Sequence, residues 1–301
     1  MKALLQNNEL ILMEAAIVEQ LRWHSDVQLH PLLSNAPLIY STAREPLKQL
    51  YQQYMEIAHN ADLAFLMCTP TWRANQERIA QAGNNAFQHI NSDAVKFLRE
   101  IQQTSLQADK VKIGGMMSCK NDCYQPDAGL STDEAKQFHQ WQVEALTDAG
   151  VDFLFAVTLP NINEAVGIAQ AMETTDTPYI ISFVIARDGT LLDGTPLHIA
   201  IERIDSATKK PALGFMINCA YPSFLCADEQ QSQIFERLIG YQANASSLDH
   251  CDLDNATQLE SNTVQDWGNE MLRFNQQFGL KILGGCCGTS AAHLRYLVKH
   301  V

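Results

Sequence analysis

Short apolar runs alternate with longer amphipathic stretches along the whole 301-residue chain. Residues 10–13, 63–67, 111–116, 151–156, 179–185, a run ending at Cys219, 239–241 and 281–284 read as strands. The fifth is the clearest, being rich in β-branched and aromatic residues. Between them, a helical period marks 15–23, 46–60, 94–102, 131–148, 163–172, 196–205, 230–238, 264–278 and 290–299. In 46–60, Leu47, Leu50, Tyr51, Tyr54 and Ile57 share one face, and Pro46 suits a first turn, where its missing N–H costs nothing. Ser131 or Thr132 caps the next long helix, with Asp133 and Glu134 at its positive end. Residues 244–262 are polar and read as a long surface loop.

Repeated strand-helix units imply a parallel sheet. Eight units without a dividing linker predict an α/β fold, a (β/α)8 TIM barrel forming one domain over residues 1–301. A doubly wound open sheet is the alternative. In a barrel the active site lies at the C-terminal ends of the strands, so any chemistry should gather there.

Composition narrows the partners more than the fold. Hydrophobic residues make up 46% and charged residues 18%, which supports a sizeable core. A net charge of −13 argues against nucleic acid and anionic membranes. No apolar run approaches the ~20 residues of a membrane span, and residues 1–8 hold no apolar segment suited to export. A cytoplasmic protein is the expectation, and its eight cysteines then read as thiols rather than a disulfide framework.

Two of those thiols are adjacent, in Gly284-Gly285-Cys286-Cys287-Gly288-Thr289. On a regular strand they would face opposite ways. The flanking glycines free the backbone to aim both sulfurs at one point. Cys219 also ends a short apolar run, so a barrel would bring all three to one rim. Buried cysteine can be mere filler, but three convergent thiolates are a zinc set with a fourth position open to a reactant.

The Gly-Gly-Cys-Cys-Gly-Thr stretch and Asn218-Cys219 resemble the signature of the zinc-dependent homocysteine S-methyltransferase family, which includes the betaine- and S-methylmethionine-dependent enzymes. The similarity runs through nearly the whole chain, including 138–152, Ser182-Phe183 and 188–196. The resemblance implies Zn2+ held by Cys219, Cys286 and Cys287. It also implies a small-molecule thiol acceptor in the open position and a cationic methyl donor, with Glu14, Thr158 and Asn218 as the substrate-binding shell. No catalytic residue beyond the zinc site is implied, and a homo-oligomer is allowed.

The chain departs from that family where the acceptor's amino group is held. The Asp-Gly-Gly or Asp-Gly-Ala expected after the first strand is Met13-Glu14-Ala15-Ala16, leaving Glu14 as the nearest acid. The expected Glu-Thr after the fourth strand is Val157-Thr158, and the loop after the third lacks its usual Gly and Pro. A zinc barrel without catalysis, or one turned to another small molecule, is the alternative reading. Cys119 and Cys123 read as surface-loop thiols, His139 as a core or helix-face residue, and Cys68 as rim packing. His24 and His30 lie in the loop after the first strand. Trp72 offers an aromatic face for a cationic donor.

Overall fold

The computed structural model describes residues 1–22, 27–83, 85–248 and 262–301. Eight parallel strands close into a barrel in chain order: β1 (Ile11–Met13), β2 (Ala64–Cys68), β3 (Val111–Ser118), β4 (Phe153–Leu159), β5 (Tyr179–Phe183), β6 (Gly214–Asn218), β7 (Leu238–Ala243) and β8 (Ile282–Gly285). The β8 strand pairs back onto β1 through Ile11–Ile282 and Leu12–Leu283. The closed barrel is the predicted architecture, and the open sheet is excluded.

Ten helices, among the described residues, accompany the strands. They are α1 (Lys2–Asn7), α2 (Val18–Arg22), α3 (Arg44–Asn60), α4 (Gln76–Gln81), α5 (Ile90–Gln102), α6 (Thr132–Asp148), α7 (Ile162–Met172), α8 (Leu197–Ala207), α9 (Val264–Phe278) and α10 (Ala291–His300). The predicted cap of α6 is a full capping box, with Ser131 and Glu134 each bonding the other's backbone. Between β6 and β7 the predicted helix 230–238 shrinks to a 3-10 turn, Ser232–Glu236. The strand after it is longer than expected, because its pairing with β8 runs on to Ala243 against Gly285.

Strand alternation sorts the core into two layers. Ile11, Met13, Leu66, Cys68, Phe153, Phe155, Val157, Ile180, Met216 and Ile282 fill the lumen. The intervening residues pack outward against the helices in a larger cluster. Met1, Leu4 and Leu5, on and beside α1, cover one end of the lumen cluster, opposite the strand ends that carry the cysteines. No helix among the described residues is long and apolar enough to cross a membrane.

Candidate metal centre

The three cysteines named from the sequence converge above the lumen. Their sulfurs all lie within 4.8 Å of one another. The Cys286 and Cys287 Sγ atoms are 4.0 Å apart. Four ligands at a Zn–S length of about 2.3 Å sit about 3.8 Å apart on a tetrahedron, close to the Cys286–Cys287 separation. Cys219 and Cys286 are in sulfur–sulfur contact as a disulfide, with Cα atoms 5.5 Å apart. Disulfide and metal ligation are alternative states of the same sulfurs, since a thiolate ligand must carry its own free charge. The donor set and its convergence fit a zinc ion. Cys219 is buried, Cys286 half-buried and Cys287 exposed, which leaves access from the barrel mouth.

Local backbone geometry explains the convergence. Cys219 follows β6 with φ of 55°, a left-handed conformation that an L-residue adopts only when held. Asn244 Nδ2 donates to its carbonyl at 3.0 Å, and its own amide donates to Gln242 at 3.2 Å. At β8, a Cβ on Gly284 would stand 2.9 Å from the Glu14 carbonyl oxygen and from Met13 Cβ, so only glycine lets β8 approach β1 this closely. Thr289 closes the turn by accepting from the Ala16 amide at 3.1 Å and donating to the Cys286 carbonyl at 2.6 Å. Glu19 accepts a hydrogen bond from the Gly288 amide.

Asn218, at the end of β6, ties three strands to the site. Its Oδ1 accepts from the Thr158 amide at 2.8 Å and from Ser182 Oγ at 2.7 Å. Its Nδ2 donates to Thr158 Oγ1 at 2.6 Å and to Cys219 Sγ at 3.3 Å. Thr158 Oγ1 in turn reaches Cys219 Sγ at 3.8 Å. Asn218 and Thr158 therefore flank the Cys219 sulfur, and both polar atoms of the Asn218 side chain are committed within this network.

Glu14 lies elsewhere. The lumen position at the end of β1 is Met13, and the next side chain turns toward the helices. Its carboxylate accepts the Cys68 amide at 2.7 Å and is felt by Tyr51 and Tyr54 of α3. Burial pushes Glu14 up to about 8, with the Cys68 hydrogen bond opposing the shift. The structure thus ties one Glu14 oxygen to the end of β2, with no hydrogen bond to Asn218 or Thr158 among the described residues. Val157, at the matching position of β4, faces the lumen.

Other residues resolve as follows. Cys119 and Cys123 are buried rather than on a surface loop. Buried Glu164 pulls that loop inward by accepting the amides of Lys120 at 2.8 Å and Leu130 at 3.1 Å. His139 is a core residue, its Nε2 3.0 Å from the same carboxylate. Cys119 Sγ lies 3.9 Å from the Thr158 carbonyl, close under the metal site. Cys68 is buried in the lumen. His30 accepts the amides of Leu32 and Leu33 through Nδ1 and so shapes its own turn; His24 lies outside the described residues. The loop expected at 244–262 begins inside the molecule, since Asn244, Ala245 and Ser246 are buried; residues 249–261 lie outside the described residues. The ring face of Trp72 is covered by Arg73, 4.3 Å from its centroid. The sequence offers Ser182 only within the family-like Ser182-Phe183 stretch and Asn244 only as the start of a polar segment, and neither pattern signals its role at the site.

A closed parallel barrel with three convergent cysteines on its C-terminal rim defines the class, a (β/α)8 barrel with a candidate thiolate metal centre. Residues 11–301 match the family model described as homocysteine S-methyltransferase, and the chain belongs to that family. It is 24% identical over 315 residues to the homocysteine S-methyltransferase of Escherichia coli (strain K12), covering 99% of this chain and 97% of that one. It is 23% identical over 283 residues to betaine–homocysteine S-methyltransferase 1 of Rattus norvegicus, covering 85% of this chain and 64% of that longer protein. The metallated form of the E. coli homocysteine methyltransferase MmuM superposes with a TM-score of 0.77 at 19% identity, over 99% of both chains.

Proposed function

We propose that this protein is a zinc-dependent S-methyltransferase. It would move a methyl group from a sulfonium or ammonium donor, such as S-methylmethionine, S-adenosylmethionine or betaine, to homocysteine or a related thiol. The convergence of Cys219, Cys286 and Cys287 at the open end of the barrel carries this reading. Zinc, when bound, supplies deprotonation of an acceptor thiol at neutral pH.

The chain's own residues set the rest. Three thiolates outweigh a divalent cation by one negative charge, which favours a cationic donor nearby and leaves electron density on an attacking sulfur. Asn218 and Thr158 fix the direction of Cys219. The lumen beneath, lined by Met13 and Val157, excludes water from the reacting groups. In the transfer, a sulfur lone pair forms the new S–CH3 bond. The donor's bond to that carbon breaks with its electron pair leaving on the donor, and the thiol proton passes to solvent. Alignment of the three atoms is the main task left to the protein.

The test is a screen of thiols against the three donors with zinc-loaded protein, read as thioether formed. Transfer from at least one donor is expected. Stoichiometric zinc with no transfer from any donor would favour the non-catalytic barrel.

A further inference from the structure

Resting on that reading of the site, we propose that its three cysteines are unequal toward a methyl donor: stray methylation falls on Cys287, while Asn218 and Thr158 shield Cys219. A site that brings three thiolates to a methyl donor carries a chemical hazard, because each thiolate is itself a nucleophile. The hazard is greatest when no acceptor thiol stands in the donor's path. In the stray reaction a lone pair on the cysteine sulfur forms an S–CH3 bond. The donor's bond to that carbon breaks, and its electron pair stays on the donor. The product, S-methylcysteine, has lost the thiolate charge on which metal ligation depends.

Hydrogen bonding separates the sulfurs. Cys219 Sγ receives Asn218 Nδ2 at 3.3 Å and Thr158 Oγ1 at 3.8 Å. The Asn218 side chain cannot turn over, since its Oδ1 accepts from the Thr158 amide at 2.8 Å and a reversed side chain would set an NH2 group against that N–H. Ser182 Oγ donates to the same oxygen at 2.7 Å. Donors aimed at a thiolate stabilise its charge, and a sulfur so stabilised is the weaker nucleophile. Among the described residues, no side-chain N–H or hydroxyl reaches Cys286 or Cys287; their sulfurs meet each other at 4.0 Å, and Cys286 also meets Cys219. Access ranks them the same way: Cys219 is buried, Cys286 half-buried and Cys287 exposed.

The experiment treats zinc-loaded protein, without acceptor thiol, with iodomethane, a methylating agent small enough to reach all three sulfurs. Below one methyl per chain, peptide mass spectrometry maps S-methylcysteine and a chelator dye follows zinc release. Methyl should appear on Cys287 about ten-fold or more faster than on Cys219, with zinc leaving in step. Two variants separate shielding from access. Asn218→Asp keeps an oxygen for the Thr158 amide and Ser182 but removes the N–H donor, and Thr158→Val removes the hydroxyl. With zinc in excess, the Cys219 rate should rise about ten-fold in Asn218→Asp and by less in Thr158→Val, while the Cys287 rate stays as it was. Equal methylation of Cys219 and Cys287 in the unmodified protein, or an unchanged Cys219 rate in both variants, would overturn the inference while leaving the zinc site standing. Failure of the unmodified protein to take up zinc would overturn the site reading and the inference with it.

Discussion

Replacing Asn218 by alanine should damage the metal centre more than the barrel. The substitution removes the acceptor for two buried donors, the Thr158 amide and the Ser182 hydroxyl. An orphaned buried donor costs about 1–3 kcal/mol. The serine hydroxyl can rotate toward another acceptor and the amide cannot, so the sum should fall near 2–4 kcal/mol. For a chain of this size that corresponds to a drop in melting temperature of roughly 4–8 °C in the metal-free protein. The same change frees two residues with left-handed backbones, Thr158 at φ 54° and Cys219 at φ 55°, and removes the amide donor 3.3 Å from the ligand sulfur. Loss of such an orienting contact typically lowers metal affinity about 10- to 100-fold. Competition against a chromogenic zinc chelator measures the affinity, and thermal unfolding without metal measures the stability. Unchanged values in both assays would refute the positioning role.

Two further expectations follow from buried carboxyls. Glu14 is held near 8 against a usual 4.5, so the folded protein binds its proton more tightly than the unfolded chain. Its contribution is therefore full below about pH 4.5 and is lost as pH rises through 8, by an amount on the order of 5 kcal/mol. Glu14→Gln should flatten the decline of melting temperature across that window, and parallel pH profiles for the two proteins would contradict it. Glu164→Ala should release the loop from Lys120 to Leu130 and leave His139 without its partner, at about 1–3 kcal/mol for each buried group left unsatisfied. Faster tryptic cleavage at Lys120 under native conditions is the readout, and an unaltered digestion rate would count against the clasp.

The barrel was legible because its signal is periodic and repeated: each apolar run of β1 to β8 precedes or follows a helical stretch with an apolar face. The clustering of the cysteines was legible for a different reason, since adjacent thiols between glycines have few uses. What the sequence could not convey was direction. Glu14 stood one position from Met13, and a strand turns each successive side chain to the other face. Sequence proximity therefore could not convey that the Glu14 carboxylate meets the Cys68 amide at the end of β2. Cys119 and Cys123 looked exposed because their loop is polar. Their burial depends on Glu164, more than thirty residues away, whose carboxylate reaches back to that loop. The hub at Asn218 likewise joins β4, β5 and β6, and no local pattern announces a three-strand junction.

The central claim is that Cys219, Cys286 and Cys287 hold one zinc ion with a position left open for an acceptor thiol. X-ray absorption at the zinc edge of loaded protein, recorded before and after addition of an acceptor thiol, tests it most directly. The account predicts three sulfur neighbours at about 2.3 Å with one lighter atom, changing to four sulfurs once the thiol is added. A shell dominated by nitrogen and oxygen, or a three-sulfur shell indifferent to every thiol, would contradict it.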